Sequence, residues 1–144
     1  RDQPRSRGLG DVYKRQSISS RYTSKRGNDS GKHLKEVDVL LGQGVIADLP
    51  RLVEPFCKGG KVGVITDDTV DALYAAKAVW AMEQYGYDVC KYVIPYGESS
   101  KNINTLSGIL EYFASCHFTR KDIFLSIGGG VIGDITGVPA ALYM

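Results

Sequence analysis

The chain has 144 residues, enough for one domain of common size, and 43% of them are hydrophobic while 24% are charged. These proportions are typical of globular proteins and exclude the disordered and fibrous classes. The apolar runs are a handful of residues long, far short of the roughly 18 needed to cross a bilayer. The composition therefore predicts a soluble protein without a membrane-spanning segment.

The net charge of +2 conceals a strongly basic N-terminal arm. Residues 1–26 carry eight basic and two acidic side chains, so the rest of the chain is negative. On charge alone such an arm suits nucleic acid, anionic lipid or a targeting peptide. Its opening, RDQPRSRGLGDVYKRQ, also resembles a translated adaptor. We therefore predict a disordered or non-native segment over residues 1–35 and one folded domain over residues 36–144.

The three cysteines, Cys57, Cys90 and Cys116, form no CxxC pair and no metal-ligand spacing. Their odd number disfavours a disulfide framework, and a reducing compartment is the simpler interpretation. His33 and His117 have no histidine three or four residues away. We interpret both as surface or packing side chains rather than metal ligands.

From about residue 36, short apolar runs alternate with longer amphipathic segments, which is the pattern of an α/β protein. Strands are predicted over residues 37–41, 61–66, 88–94 and 122–127. Because strand-helix-strand connections are right-handed, the four strands should form one open, mainly parallel sheet. The fold class is thus predicted to be a Rossmann-like α/β sheet with helices on both faces.

Helical spacing of apolar residues predicts a helix after each strand. Candidate N-caps are Asp48 and either Asp67 or Asp68, and Gly86 is the candidate C-terminal stop of the second helix. The first helix should end at residues 59–60, the third should span about residues 102–115, and the last should begin near Gly133. The predicted buried faces contain Leu49, Leu52, Val53, Phe56, Val70, Leu73, Ala76, Trp80, Ile103, Leu106, Ile109, Leu110 and Phe113.

Open parallel sheets bind ligands at the carboxyl ends of their strands. The segments 42–44, 67–69, 95–101 and 128–134 should therefore lie along one edge. In the last of them, Gly128, Gly130 and Gly133 form a GxGxxG pattern between a strand and a helix. Glycine permits close approach of a ligand to the backbone, and a helix N-terminus attracts anions such as a pyrophosphate. The alternative is a tight turn without a ligand.

Charged residues in the neighbouring segments have two interpretations each. Glu98 and Lys101 could hold a ribose and a phosphate, or form a local ion pair on a solvated helix start. The acids of segment 67–69 could bind a ribose hydroxyl, or only cap a helix. Asp134 could orient a ligand, or only complement the helix dipole. Composition alone leaves these alternatives open.

Together these motifs resemble one family. PYGESSK at 95–101, FTRKD at 118–122, GGGVIGDITG at 128–137 and AALYM at 140–144 are similar to 3-dehydroquinate synthase, and the resemblance runs from about residue 36 to 144. It implies the N-terminal, NAD-binding part of a cyclising lyase of the shikimate pathway. That enzyme converts the sugar phosphate DAHP to 3-dehydroquinate and phosphate, with NAD recycled and a divalent metal, Zn or Co, bound.

The resemblance also implies site residues and partners. No catalytic residue and no metal ligand is assigned to this chain, because the family carries these in later sequence, and the piece is expected to be inactive alone. A small-molecule substrate, no nucleic acid, no membrane, a homodimer for the whole protein and a cytoplasmic location are expected. The NAD contacts carry over onto Asp67, Asp68, Thr69, Glu98, Ser99, Ser100, Lys101, Gly129, Gly130, Val131 and Asp134.

The sequence departs from the family pattern at a few positions. Tyr96 stands where the family commonly has Asp, and Thr69 stands where Asn is usual. Pro139 is expected in the first turns of the last helix, where a proline is tolerated. Two alternatives remain open: a related sugar-phosphate cyclase or metal-dependent polyol dehydrogenase, and a non-catalytic nucleotide-binding module.

Overall fold

The structure, a computed structural model, describes residues 17–18, 39–40, 43–58 and 60–143. The chain forms two compact units, residues 1–45 and 46–144. In the first unit, strand β1 (Ser17–Ile18) pairs antiparallel with strand β2 (Val39–Leu40). The rest of the predicted segment 1–35 lies outside the described residues, and so do residues 37, 38 and 41 of the first predicted strand.

The second unit is built on a three-stranded parallel sheet. Its strands are β3 (Lys61–Asp67), β4 (Asp88–Ile94) and β5 (Ile123–Ile127), in the order β4-β3-β5. These bounds agree with the predicted strands to within one residue. The prediction of a fourth parallel strand at residues 37–41 is wrong, because β2 pairs with β1 instead. The apolar pattern identified a strand at these residues, but such a pattern does not show which other strand it pairs with.

Strand β3 lies in the middle of the sheet and is buried on both faces. Val62, Val64 and Ile65 have no exposed surface. The apolar, β-branched sequence KVGVIT suits this position, because helices cover both faces of a parallel sheet. The predicted two-sided burial of this strand is confirmed.

Helices of very different lengths connect the strands. In chain order the helical elements are a 3-10 turn (Val45–Asp48), α1 (Leu49–Val53), α2 (Asp68–Val70), a π segment (Asp71–Ala75), α3 (Ala76–Tyr85), a 3-10 turn (Glu98–Ser100), α4 (Ile103–Ser115) and α5 (Gly130–Tyr143). The π segment joins α2 and α3 into one continuous helical stretch between β3 and β4.

Two hydrophobic clusters lie on opposite faces of the sheet, as alternation along the strands requires. On one face, Ile65 and Ile94 pack with residues of α4 and α5, among them Phe113 and Ile132. On the other face, Val62 and Val64 pack with residues of α1 and α3, including Val53 and Met82. The predicted arrangement of helices on both faces is confirmed. No helix within the described residues is long and apolar enough to span a membrane.

The predicted helix ends agree with the structure at several positions. Asp67 is the N-cap of α2, and its side chain accepts a hydrogen bond of 2.8 Å from the backbone N–H of Val70. Asn102 caps α4 in the same manner, with 2.9 Å to the N–H of Thr105. Gly86 ends α3 in the left-handed conformation, with φ of 105°. A residue with a Cβ atom adopts this conformation at a cost, and Gly does not.

The predicted buried face of the second helix is wrong. Leu73 and Trp80 are 55% and 64% exposed, whereas Ala75, Ala78 and Met82 are fully buried. The π segment Asp71–Ala75 contains wider turns than an α-helix. It therefore breaks the 3.6-residue periodicity on which the prediction rested, and the side chains after it face a different direction.

Three other predictions about helices need correction. α1 ends at Val53, well before residues 59–60, and Phe56 lies in the following turn, 73% exposed. Ile103, at the first turn of α4, is 72% exposed. Asp48 stands at the N-cap of α1 but makes no capping hydrogen bond through its side chain. Helix α1 has only five residues, which are too few for the amphipathic face that the prediction assumed.

The last helix begins earlier than predicted. α5 starts at Gly130 rather than near Gly133, since the N–H of Gly133 already donates to the carbonyl of Gly129 over 3.1 Å. Pro139 consequently lies in the helix interior and not in its first turns. Its ring nitrogen has no hydrogen to donate to the carbonyl four residues earlier. Because glycine has low helix propensity, the residue pattern contains no sign that these positions are helical.

Candidate functional site

Three of the four predicted loop segments meet at one edge of the sheet. In the parallel register Asp67 lies opposite Ile94, and Thr66 lies opposite Ile127. All three strands therefore end at the same level, and segments 67–69, 95–101 and 128–134 follow them directly. The fourth segment, 42–44, follows a strand that is not part of this sheet.

The glycine segment begins with a tightly packed residue. A Cβ atom added to Gly128 would lie 2.6 Å from Cγ1 and 3.0 Å from Cβ of Ile132. Ile132 is itself buried in the core beneath the loop. The close packing of this side chain excludes any residue larger than glycine at position 128 without a local shift.

The next glycines are open. A Cβ atom added to Gly129, Gly130 or Gly133 would contact nothing within 4 Å. Gly130 is the first residue of α5, where the first N–H groups have no acceptor inside the helix. Val131, in the same turn, is half-buried. An accessible helix N-terminus that lacks side chains is a site where an anionic group can approach the backbone closely.

The carboxylates after β3 have different environments. Asp67 is only 5% exposed, and its side chain is the N-cap described above. Asp68 is exposed, and its Oδ1 accepts hydrogen bonds from the N–H of Tyr96 at 3.1 Å and from Thr69 Oγ1 at 3.4 Å. The bond to Tyr96 joins the loop after β3 to the loop after β4. Asp68 and Thr69 therefore present the accessible polar atoms of this segment, and Asp67 supports the backbone.

The segment after β4 folds into a 3-10 turn. Ser100 is 3% exposed and its hydroxyl donates to the carbonyl of Pro95 over 2.5 Å, which closes the turn. Ser99 is exposed, and its carbonyl accepts a hydrogen bond from the side chain of Asn102. Glu98 is also exposed. Ser100 thus shapes the turn, while Glu98 and Ser99 face solvent.

An ion pair joins the turn after β4 to helix α5. Lys101 Nζ lies 2.8 Å from Asp134 Oδ2 and 3.7 Å from Glu98 Oε1. The hydrogen bond to Asp134, together with attraction to both carboxylates, raises the pKa of Lys101 above its ordinary value. The sequence suggested a pair between Glu98 and Lys101, but the shorter contact is with Asp134, 33 residues away in sequence.

A groove of about 280 Å³ adjoins this ion pair. Charged and polar residues lie at one side of it, and aliphatic side chains of α4 and α5 lie at the other. Its lining consists of Lys101, Asn102, Ile103, Leu106, Asp134, Ile135 and Val138. The exposure of Ile103 and Val138 is thus explained by their position along a surface groove rather than in the core.

One contributor to the site was missed by the sequence analysis. The buried Thr66 donates its hydroxyl proton to the carbonyl of Ile127 over 2.7 Å. This bond fixes the end of β5 immediately before the glycine segment. A threonine near the end of an otherwise aliphatic strand, KVGVITD, is the signal that could have identified it.

The described residues contain no group of three or more His, Cys, Asp or Glu side chains arranged to hold a metal ion. The site at the carboxyl edge thus consists of backbone amides, one lysine, and exposed carboxylates and hydroxyls. Such a set is suited to hydrogen bonding with an anionic, hydroxyl-rich ligand. It offers no soft ligand set for a transition metal.

Residues 91–144 match the family described as "3-dehydroquinate synthase N-terminal". The chain is 40% identical over 106 residues to a 3-dehydroquinate synthase of Clostridium acetobutylicum, covering 74% of this chain and 30% of the relative. A 3-dehydroquinate synthase of Streptococcus suis is 36% identical over 107 residues, with the same shares covered. This chain is therefore similar to the N-terminal part of 3-dehydroquinate synthases. It spans about 30% of the length of the curated relatives it matches.

Solved structures share the fold of this chain. One is 2-deoxy-scyllo-inosose synthase complexed with carbaglucose-6-phosphate, NAD+ and Co2+, with a TM-score of 0.61 and 22% identity over 72% of this chain and 27% of that one. Another is the 2-epi-5-epi-valiolone synthase ValA of Streptomyces hygroscopicus, with NAD+ and Zn2+ bound. Its TM-score is 0.60 at 22% identity, over 85% of this chain and 32% of that one. The predicted Rossmann-like fold is therefore confirmed.

Proposed function

We propose that this chain is the NAD-binding part of a 3-dehydroquinate synthase. The complete enzyme would convert DAHP to 3-dehydroquinate with loss of phosphate, as a cytoplasmic homodimer with a divalent metal. The open N-terminus of α5 at Gly129 and Gly130 is the observation that carries this proposal. It offers unobstructed backbone amides at the edge of the sheet where α/β proteins bind nucleotides.

The residues at the carboxyl edge fit a dinucleotide. The amides of Gly129, Gly130 and Val131 would donate to the pyrophosphate, because N–H groups at a helix N-terminus favour negative charge. Asp68 and Glu98 would accept hydrogen bonds from ribose hydroxyls. Bound NAD supplies reversible hydride acceptance, which a chain without redox groups lacks.

The remaining candidate residues would contribute charge, hydroxyl groups or support for the backbone. Lys101 would direct positive charge toward the phosphates while paired with Asp134, and Thr69 and Ser99 would add hydroxyls along the edge. Asp67 and Ser100 would maintain the backbone of their turns, as their present hydrogen bonds do. A divalent metal would find no ligand cluster among the described residues, so we derive no step from it.

The alternatives are weaker on present observations. The relatives that are 36% to 40% identical are 3-dehydroquinate synthases, whereas the other sugar-phosphate cyclases are only 22% identical. A likeness at that level supports the fold and not the substrate. Nothing in the site favours a polyol dehydrogenase or a module without a catalytic partner.

Calorimetric titration of the chain with NAD+ tests the proposal. Gly129→Leu should weaken NAD+ binding at least about tenfold, since its side chain would occupy the space in front of the helix N-terminus. Gly137→Leu is the matched control, because a Cβ atom there also meets open space but lies two turns along α5. Equal affinity of both variants and the parent would contradict the glycine assignment.

A second measurement concerns the reaction itself. The 144-residue chain should release no phosphate from DAHP in the presence of NAD+ and Zn2+, because it would lack the metal ligands. A full-length relative provides the positive control. Phosphate release by the chain alone would overturn the proposal that the catalytic residues lie elsewhere.

A further inference from the structure

Two cysteines lie near the end of the sheet opposite the candidate site. Cys90 is the third residue of β4 and lies opposite Gly63 of β3 in the parallel register. Residues paired in this way place their side chains on the same face of the sheet. A Cβ atom on Gly63 would lie 2.8 Å from the ring of Phe113. Cys90 therefore faces α4.

The carboxyl end of α4 is fixed above this part of the sheet. Cys116 is the C-cap residue of α4, one turn after Phe113. Its carbonyl accepts a hydrogen bond of 2.7 Å from Lys61 Nζ, and Lys61 lies two residues before Gly63 on the same face. The lysine thus holds Cys116 over the beginning of β3 and beside the strand that carries Cys90.

Both cysteines belong to the same packed region. Cys90 lies two residues before Tyr92 and Cys116 lies four residues after Tyr112, and the ring centroids of these two tyrosines are 5.3 Å apart. The two cysteines are half-buried and pack against the hydrophobic cluster formed with α4 and α5. Burial, followed by the influence of the Cys116 thiol, raises the pKa of Cys90 to about 12. Cys57 packs on the opposite face, against the cluster around Val62 and Val64. The sheet therefore separates the third thiol from the pair.

We propose that Cys90 and Cys116 are a modification site that closes to an intramolecular disulfide in the presence of a small disulfide oxidant. One thiol, after losing its proton, attacks a sulfur of oxidised glutathione, and a glutathione thiolate leaves. The second thiol then attacks the mixed disulfide and releases the second glutathione. The two cysteines are oxidised, one glutathione disulfide is reduced, and the two thiol protons end on the two glutathiones.

The environment makes this reaction slow at neutral pH. The thiolate is the reactive form, and burial disfavours it. Charged and titratable groups around Cys90 are Cys116 and Tyr112 of α4, Asp88 of β4 and Lys61 of β3. Only Lys61 among them favours the thiolate. The rate of closure should therefore rise about tenfold per pH unit above neutrality, as the thiolate fraction does.

Peptide mapping tests the proposal. The 144-residue chain is incubated with oxidised glutathione at pH 8.5, alkylated, digested without reductant and analysed by mass spectrometry. We expect a cross-linked peptide joining Cys90 to Cys116, with Cys57 alkylated or carrying glutathione. Cys57→Ser should give the same cross-link, and Cys90→Ser and Cys116→Ser should each leave a glutathione adduct on the remaining partner.

Other outcomes would refute the proposed disulfide between Cys90 and Cys116. Alkylation or separate glutathione adducts at both Cys90 and Cys116, without the cross-linked peptide, would show that the sulfurs do not meet. A cross-link from either residue to Cys57, or a disulfide between two copies of the chain, would place the oxidation elsewhere. Circular dichroism of each variant beforehand verifies that the fold is intact.

Discussion

Single residues at the glycine segment have separate physical roles. Gly128 is required by the fold, because the side chain of Ile132 occupies the space that a Cβ atom would need. Gly129 and Gly130 are unconstrained by packing, since nothing lies within 4 Å of an added Cβ atom. A sequence pattern cannot separate these roles, as all three positions read as glycine. Gly128 is therefore needed for packing, whereas Gly129 and Gly130 leave the backbone accessible.

Gly128→Ala should lower the free energy of unfolding by about 1–3 kcal/mol, the usual cost of inserting a methyl group into a filled space. Gly130→Ala is the control, because its added methyl group meets open space at a helical position. Urea denaturation followed by circular dichroism measures both. Equal stability of the two variants would contradict the close packing of Ile132 against the loop.

Lys101 provides a second prediction for a single residue. Asp134→Asn should lower the pKa of the Lys101 amine toward its ordinary value, because the charged hydrogen-bond acceptor is removed. The parent pair contributes most below the ordinary lysine pKa of about 10.4 and loses its contribution as pH rises through the raised value. Carbon-13 NMR titration of the lysine side chains measures the change.

The control for this titration is a second ion pair. Asp71→Asn removes the acceptor that lies 2.7 Å from Lys91 Nζ and should leave Lys101 unaffected. If the pKa of Lys101 were the same in the parent and in Asp134→Asn, the pairing across the two loops would be absent in solution.

Among the elements, strands were easier to predict than helical faces. Runs such as KVGVIT and DVCKYVI are short, apolar and bounded by turn residues, so their limits could be placed within one residue. The helical stretch between them was predicted with the wrong buried face. The π segment Asp71–Ala75, whose hydrogen bonds span five residues, interrupts the helical spacing on which the prediction relied.

Trp80 reports on that helical face. It is the only tryptophan in the sequence and is 64% exposed. Its fluorescence emission maximum should match that of N-acetyltryptophanamide in water, and iodide should quench it readily. Addition of urea to unfold the chain should shift the maximum very little. A blue-shifted maximum together with weak quenching by iodide would show that Trp80 is buried, as the helical spacing predicted.

At the scale of the whole molecule, the three-stranded sheet determines where the candidate site lies. The parallel arrangement brought three of the predicted segments to one edge, and the sequence was sufficient for this because chain order and the crossover rule imply it. The pairing of Lys101 with Asp134 could not be predicted in the same way. It depends on the first turn of α5, whose early start at Gly130 was hidden by low helix propensity.

The burial of β3 predicts the pattern of backbone protection. Amide hydrogens of Val62, Val64 and Ile65 should exchange most slowly with deuterium, since β3 pairs with a strand on each side. Those of β5 should exchange faster, because within the described residues β5 pairs only with β3. Hydrogen exchange measured by NMR tests this order, and faster exchange in β3 than in β5 would contradict the strand order β4-β3-β5.

The parallel register also separates the thiol pair from the candidate site at the carboxyl ends of the strands. Cys90 lies four residues before Ile94, a distance of about 13 Å along an extended strand. Changes further apart than about 10 Å that share no contacts usually have additive effects on free energy. The two ends of the sheet should therefore be energetically independent, so that a variant of the cysteine pair and a variant of the glycine segment can be combined and their separate costs summed.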